Sequence, residues 1–230
     1  MFPLSAADVE VLATSLKVAC GAVAISLPPA ILAAYFLSRR TLRGKIVLDG
    51  LVHLPLVLPP VLTGFILLLV LGRRGVIGGW LYDTFHIRLA FTAVGAAIAT
   101  AVMTLPLMVR AIRLSFEAID SGLIDAAAVL RAGPVDRFLK VTLPLAGPGI
   151  LAAAVTAFAA GLGEFGAVIT FASNIPGETR TLPLAIYAAL QQPDGDALAL
   201  RFAAMSFVLA ILGLASAEAL QRWARDRLKQ

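Results

Sequence analysis

Cysteine and charge are both scarce in this chain of 230 residues. Cys20 is the single cysteine, so neither an intramolecular disulfide nor a cysteine metal site can form. His53 and His86 are far apart and show no ligand spacing, so we expect no bound metal. Charged residues make up 14% of the chain, about half the share in soluble proteins. That low charge content is far from the balance of a soluble protein, and we expect no separate water-soluble domain.

Two catalytic motifs are also missing. No Gly-x-x-x-x-Gly-Lys-[Ser/Thr] segment occurs, so the chain has no phosphate-cradling loop with which to hydrolyse ATP. No Gly-x-Ser-x-Gly turn of a serine hydrolase occurs either. We therefore expect a protein that is not an enzyme and that binds no cofactor of its own.

Hydrophobic residues are abundant instead, at 60% of the chain with a mean hydropathy of +0.91. Five apolar runs reach the length of about 20 residues that crosses a bilayer as a helix. These runs are residues 11–37, 51–71, 89–109, 150–169 and 198–220. The sequence predicts an all-α, polytopic membrane bundle of about five transmembrane helices, forming a single domain over residues 1–230, with membrane lipid around it.

Prolines interrupt the first two runs. They are Pro28, Pro29, Pro55, Pro59 and Pro60. Breaks of this kind persist in a bilayer where neighbouring helices or a polar cavity satisfy the freed backbone groups. We therefore expect these two helices to lie at the centre of the bundle.

Lysines and arginines are concentrated in the connections on one side of the bundle. The connections at 38–45 and 110–149 and the segment after 220 carry most of them. Such an excess marks the cytoplasmic side. We expect the N-terminus outside and the C-terminus in the cytoplasm. These basic connections account for the net charge of +5. Because the positive charge serves as a topology signal, we expect no nucleic-acid partner.

A polar segment from Glu117 to Gly149 separates the third and fourth apolar runs. Its many charged side chains place it outside the bilayer, on the basic side. Asp125-Ala126-Ala127 predicts the opening of a helix that runs through Leu130, and Gly133-Pro134 predicts a turn before a second helical run. The segment is expected to form two short helices joined by a bend.

The spacing within this segment resembles that of the inner-membrane permease subunits of bacterial ABC importers. Their motif has an acidic residue followed by two alanines, a glycine four positions after the second alanine, and a closing Leu-Pro. The matching residues here are Asp125, Ala126, Ala127, Leu143 and Pro144. Arg131 departs from the motif because it stands at the glycine position, and Gly133 follows two residues later.

This resemblance implies that residues 117–149, hereafter the coupling loop, dock as a coupling helix onto a separate cytoplasmic ATPase. Small alanines allow a partner backbone to approach, while Leu130, Phe138 and Leu139 can fill pockets on it. Charge alone would favour an ordinary solvated loop. The matched spacing out to Leu143-Pro144 favours docking.

Further segments are similar to the molybdate permease subunits of this family. They are His53–Pro60, Gly72–Gly75, Pro106–Arg113, Gly163–Ala167 and Ser173–Thr181. The similarity implies a bacterial inner-membrane permease that forms the pathway of a molybdate importer as a homodimer. A cytoplasmic ATPase dimer would use the ATP, and a periplasmic molybdate-binding protein would deliver the substrate. Sulfate, thiosulfate and tungstate permeases remain alternatives, as does an oxyanion channel, which belongs to a different class.

Glu164 lies within the fourth apolar run, beside Gly163 and Gly166. An ionisable group at the centre of a span costs about 2.5 kcal/mol or more unless it faces a cavity or a partner. One interpretation is a pathway or gate residue, although a carboxylate would repel an anion. The other is a packing residue that accepts hydrogen bonds from an adjacent helix. The sequence leaves both open.

Hydrogen-bond donors are concentrated in the outward connection from 170 to 197. The candidate pathway or gate residues there are Ser173, Asn174, Thr179, Arg180 and Thr181. Hydroxyls and amides bind a dianion without holding it too tightly for transit. A solvated loop touching another subunit is the alternative for each of them. The apolar stretch 182–190 that follows predicts a short interfacial helix.

Overall fold

The computed structural model describes residues 5–39 and 44–228, without the side chains of residues 217 and 220–228. Its α-helices are α1 (Ala6–Ser38), α2 (Lys45–Val57), α3 (Pro60–Leu71), α4 (Val76–Phe85), α5 (Ala93–Glu117), α6 (Ser121–Val129), α7 (Pro134–Arg137), α8 (Leu143–Leu145), α9 (Gly147–Leu162), α10 (Gly166–Phe171), α11 (Leu182–Leu190) and α12 (Asp196–Leu228). A π-helical turn, Phe138–Thr142, lies between α7 and α8. These ranges contain no strand, and the predicted all-α class is confirmed.

Three helices are long and apolar enough to cross a membrane by themselves: α1, α5 and the Asp196–Ser216 part of α12. Two bent pairs raise the number to five if each pair is one span. The pairs are α2 with α3, and Pro134–Leu145 with α9. The prediction of about five spans agrees with the larger number. Of the basic residues in the predicted topology signal, Arg40, Arg43 and Lys229 lie outside the described residues.

The break that the prolines predict in the second apolar run, residues 51–71, is present. α2 ends at Val57, and α3 starts at Pro60 with a bend of 115° between them. Pro60 has no N–H to donate and its ring would collide with a preceding helical turn, but it fits the first position of a new helix. The Pro59-Pro60 pair therefore ends one helix and begins the next.

The centre of the bundle is formed by α1, α5 and α9. Their contact faces include many small residues, among them Ala19 and Ala96, both fully buried. A Cβ on Gly161 of α9 would lie 2.9 Å from Cγ2 of Thr100 on α5. Small residues allow helices in a membrane to approach closely and gain dispersion contacts. The central position expected of the proline-containing helices is thus observed for α1, whereas α2 buries only Val52.

The fourth predicted span, residues 150–169, is interrupted. α9 ends at Leu162, and α10 begins only at Gly166. Each glycine at 161 and 163 lowers helix stability by about 1 kcal/mol relative to alanine. The N–H of Glu164 donates to the carbonyl of Gly161 at 3.2 Å, a tightened final turn. Glu164 consequently lies in a helix break and not inside a continuous helix.

The helices that follow the two breaks pack against each other through glycines. A Cβ on Gly64 of α3 would lie 2.6 Å from the carbonyl oxygen of Ala167 on α10. A Cβ on Gly166 of α10 would lie 2.6 Å from Cβ of Pro60. Side-chain carbons do not normally approach that closely. α3 and α10 therefore meet at a distance that only glycine permits.

The short helix predicted at residues 182–190 is present with those bounds as α11. Leu182 and Ala185 pack with Val11 of α1 and Phe202 of α12. The N–H of Leu182 also donates to Oγ of Ser15 at 2.8 Å. α11 is therefore anchored to both terminal helices of the bundle.

Replacing Gly64 by alanine should destabilise the bundle by about 1–3 kcal/mol, because the new methyl group meets a backbone oxygen that cannot turn away. Thermal unfolding of the detergent-solubilised chain measures this loss. Gly213→Ala is the matched control, since no atom lies within 4 Å of its added Cβ. Equal unfolding temperatures for the two variants would contradict close packing of α3 on α10.

Candidate coupling and translocation site

The first helix of the coupling loop starts earlier than the sequence predicts. α6 begins at Ser121, four residues before the expected opening at Asp125. Oδ1 of Asp120 accepts a hydrogen bond from the N–H of Gly122 at 2.8 Å, which satisfies a donor of the first turn. Asp125 lies within the helix and is exposed. The aspartate at the helix start is therefore Asp120, and Asp125 remains available to a partner.

Arg131 ends this helix in a left-handed conformation, with φ of 61°. Its N–H donates to the carbonyl of Ala128, and the N–H of Ala132 donates to that of Ala127, both at 3.0 Å. This pair of bonds is a Schellman C-cap, in which glycine usually occupies the left-handed position. The bend thus lies at Arg131, where the family motif has glycine, and Gly133 instead precedes α7 as its N-cap.

One side of α6 is apolar and uncovered. Its residues are Leu123, Ala126, Val129 and Leu130, which share a side because they lie three, four or seven positions apart. Val129 and Leu130 are 83% and 82% exposed. We call these four residues the coupling face. An uncovered apolar surface within a charged loop is typical of a protein contact site.

The two alanines of the family motif have different surroundings. Ala126 is exposed on the coupling face. Ala127 is half-buried, as is Ile124, and its carbonyl accepts one of the two bonds of the C-cap. Ala126 is therefore free to contact a partner, whereas Ala127 also helps to hold the shape of the loop.

Phe138 attaches the coupling loop to the membrane helices. Its ring centroid lies 4.5 Å from that of Tyr35 on α1 and 6.3 Å from that of Phe116 on α5. Aromatic pairs at such separations contribute about 0.5–1.5 kcal/mol beyond their burial. The expectation that Phe138 fills a pocket on a partner is wrong, because its ring packs within its own chain. Leu130 and Leu139, 82% and 52% exposed, remain uncovered.

Leu143 and Pro144, which close the family motif, form the start of α8. Pro144 lacks the N–H that an α-helix would bond to the carbonyl of Lys140. The backbone just before it takes the wider π-helical form, and Oγ1 of Thr142 donates to the carbonyl of Arg137 at 3.3 Å. The motif thus ends where the chain turns by 66° into α9.

Glu164 caps the helix that follows its break. Its Oε1 accepts a hydrogen bond from the N–H of Ala167 at 2.9 Å. The first N–H groups of any helix lack a helical partner, and this bond satisfies one of them in α10. The partner is therefore in the same segment, and not on the adjacent helix that the packing interpretation invoked.

The outer loop of residues 173–181 folds around a buried hydroxyl. Thr179 is fully buried, and its Oγ1 accepts from the N–H of Ile175 at 2.9 Å and donates to the carbonyl of Ser173 at 3.1 Å. Nε of Arg180 donates to Oδ1 of Asn174 at 2.9 Å. Both bonds of the Thr179 hydroxyl are internal, so this group shapes the loop and is not available to a passing anion.

Two further candidates of the outer loop keep hydrogen-bonding capacity. Arg180 is half-buried, and its guanidinium has donors besides the Nε used by Asn174. Thr181 is buried, and its hydroxyl has no partner within the described ranges.

The outer loop and the break that holds Glu164 both contact α11. In the loop, Nδ2 of Asn174 donates to the carbonyl of Leu184 at 3.4 Å. At the break, the ring centroids of Phe165 and Tyr187 lie 5.2 Å apart.

Sequence spacing did not reveal one long-range ion pair. Arg201, near the start of α12, donates to Oδ2 of Asp8 in the first turn of α1, 193 residues away. Asp8 is 1% exposed and also accepts from the N–H of Ser5 at 2.7 Å. A buried carboxylate needs such partners. No local pattern links the two residues, so only the packing of the terminal helices identifies the pair.

Known proteins of similar sequence are membrane transport components. The chain is 53% identical to the molybdenum transport system permease protein ModB of Escherichia coli (strain K12), over 93% of both chains. It is 44% identical to the protein of the same name from Haemophilus influenzae, over 97% of both chains. It is 42% identical to the putative molybdenum transport system permease protein YvgM of Bacillus subtilis (strain 168), over 69% of this chain and 70% of that one.

Solved structures of similar fold come from ABC transporters. One is the crystal structure of a bacterial alginate ABC transporter in complex with an alginate pentasaccharide-bound periplasmic protein. A chain in it matches with a TM-score of 0.74 at 17% identity, over 95% of this chain and 79% of that one. A chain of an amino acid ABC transporter crystallised with histidines matches with a TM-score of 0.62 at 19% identity, over 93% and 92%. These likenesses concern the fold alone.

The family model described as binding-protein-dependent transport system inner membrane component matches residues 26–228. That range includes the whole coupling loop and both helix breaks. The relatives above match over most of their own length as well as over most of this chain. This chain therefore belongs to the family of inner membrane components of binding-protein-dependent transport systems.

Proposed function

We propose that this chain is the permease subunit of an ATP-driven molybdate importer in the bacterial inner membrane. The observation that carries the proposal is the coupling face, an uncovered apolar surface on a charged loop at the family motif. The molybdenum transport permeases to which the chain is similar supply the substrate. Since the sequence has no phosphate-cradling loop, a separate ATPase must hydrolyse the ATP.

Two copies of the chain would form the translocation pathway between them. An ATPase dimer would dock at the two coupling loops through Asp125, Ala126 and Leu130, and a periplasmic molybdate-binding protein would deliver the anion on the opposite side. Closure of the ATPases would draw the loops together and rock the membrane helices between two access states. Phe138 supports this, because it connects the moving loop to Tyr35 of α1 and Phe116 of α5.

The coupling loop and the C-terminus would lie in the cytoplasm, with the N-terminus outside. The described basic residues at this end support that orientation. They are Arg39, Lys45, Arg110, Arg113, Arg131, Arg137 and Lys140. Basic residues near span ends are in excess on the cytoplasmic side of membrane proteins.

The outer loop would form the entrance of the pathway. Arg180 is its main anion-binding candidate, because a guanidinium held by Asn174 can still donate to an oxyanion through its terminal nitrogens. Ser173 would line the entrance, while Thr179 and Thr181 would shape it. Glu164 would hold the break beside the pathway through its hydrogen bond to α10.

Molybdate, tungstate and sulfate are tetrahedral dianions of similar size, so selectivity would belong mainly to the binding protein. In a reconstituted complex of this chain with its ATPase and binding protein, molybdate should stimulate ATP hydrolysis more than sulfate at equal concentration. The hydrolysis rate with each anion is the measurement. Stronger stimulation by sulfate would assign the chain to a sulfate importer. Passage of molybdate through vesicles that contain this chain alone would favour a channel.

Replacing Ala126 by glutamate should abolish co-purification of the ATPase and uptake of molybdate. The added charge lies on the coupling face and displaces no contact within the chain, because Ala126 is exposed. Ala128→Glu is the matched control: it adds the same charge at another exposed alanine two positions along α6, about 200° around the helix and therefore nearly on its opposite side. Both variants should insert into the membrane normally. Undiminished co-purification of the Ala126 variant would rule out docking through this face.

Glu164→Gln should retain uptake, because the amide oxygen can still accept the N–H of Ala167. Glu164→Ala should lower stability by about 1 kcal/mol, since that donor then lacks a partner. Molybdate uptake and thermal unfolding distinguish the two effects. If the Gln variant lost about tenfold in uptake rate while its unfolding temperature stayed constant, the carboxylate charge would be required in the pathway.

A further inference from the structure

A cavity of about 430 Å³ separates the coupling loop from the membrane helices. Its walls are the ends of α1 and α5, the α6 helix, and the segment from α7 to the π-helical turn. Arg39 and Arg137 both line it, and no carboxylate is among its described lining residues. The cavity is therefore positively charged on two sides. The coupling face lies on the exposed side of α6 and takes no part in it.

Arg137 carries an unsatisfied donor at this cavity. Its Nε is buried and has no hydrogen-bond partner within residues 5–39 and 44–228. Nearby carboxylates are already engaged: Asp136 pairs with Lys140 at 2.7 Å, and Glu117 pairs with Arg113 at 2.7 Å. A buried donor without an acceptor is unfavourable. An anion from outside the chain would supply the acceptor that is lacking.

Arg39, which also lines the cavity, is held by Tyr35. Its guanidinium carbon lies 4.4 Å from the centroid of the Tyr35 ring, and it also donates to the Tyr35 hydroxyl. Stacking of this kind fixes the plane of a guanidinium. A guanidinium has five N–H donors in all, so this contact leaves donors for an anion. Two arginines from different elements thus face one space.

We propose that this cavity binds a tetrahedral phosphate-type oxyanion, supplied by the headgroup of an anionic phospholipid. The cavity is larger than a bare oxyanion fills, and Tyr35, Phe116 and Ile124 give it an apolar wall suited to the carbon atoms of a phosphodiester. It also lies at the end of α1, a helix long and apolar enough to cross a membrane, and therefore at the level expected for the headgroup layer. Basic pockets between helices at this level bind acidic headgroups in membrane proteins.

A bound headgroup would connect α1 to the coupling loop through Arg39 and Arg137. These residues belong to two elements that Phe138 and Tyr35 already hold together. The lipid would therefore fix the position of the loop relative to the membrane helices. This role is independent of which anion the importer carries, and it requires no contact with the ATPase.

Native mass spectrometry of the full-length chain in detergent tests the proposal. Delipidated protein is offered equal amounts of dioleoylphosphatidylglycerol and dioleoylphosphatidylcholine. The unmodified chain should retain the phosphatidylglycerol in preference. Arg137→Gln should weaken that binding about tenfold, because a charge-assisted hydrogen bond is lost. Arg39→Gln should weaken phosphatidylglycerol binding to the same extent. This variant tests the proposal if the Arg137 variant fails to fold.

Arg110→Gln is the matched control, since it removes the same charge at the same end of the bundle from an exposed position outside the cavity. It should bind phosphatidylglycerol like the unmodified chain. Equal losses in the Arg137 and Arg110 variants would overturn the proposal, because general charge would then explain binding. A second arm adds inorganic phosphate and measures thermal unfolding. Arg137-dependent stabilisation by phosphate, with no preference for phosphatidylglycerol, would overturn the lipid source and assign the site to a free oxyanion.

Discussion

The contact between Phe138 and Tyr35 is the interaction on which the rest of the molecule's coupling depends. In the proposed mechanism, the exposed face of α6 would receive the force from a docked ATPase. Phe138 would pass that force to α1 through Tyr35 and to α5 through Phe116. α1 and α5 also form the centre of the bundle with α9, through contacts between small residues. A displacement of the loop would therefore reach the central helices of the bundle through these ring contacts.

A second constraint comes from the bilayer, which offers no water to unsatisfied backbone groups. The break at Gly163 to Phe165 persists because a side chain supplies a hydrogen bond where the helix does not, as Glu164 does for α10. At the other break, Pro60 has no N–H that needs a partner. Burial imposes a similar requirement in the outer loop, where the buried Thr179 hydroxyl bonds two backbone groups.

Much of the fold could be predicted because apolar length and turn residues are local properties. The first and last spans and α11 follow from such patterns, as does the helical nature of the coupling loop. A break at Pro59-Pro60 follows from the prolines, but the size of the bend, 115°, does not, because α1 shows that paired prolines can also continue within a long helix. The inward position of Phe138 was missed for a related reason: an exposed and a buried aromatic residue look alike until the neighbouring helices are placed. The Asp8 and Arg201 pair likewise depends on which helices meet.

The glycine contact between α3 and α10 has a mechanical consequence. At this contact the backbone of α3 meets the backbone of α10, so no side chain can change rotamer to accommodate a shift between them. Sliding of α3 along α10 would therefore break their contact. α3 and α10 are therefore expected to travel as one rigid block in any change of access. Deformation then falls on the segments at its edges, the Leu58-Pro59 corner and the break that holds Glu164, which act as the hinges of that block.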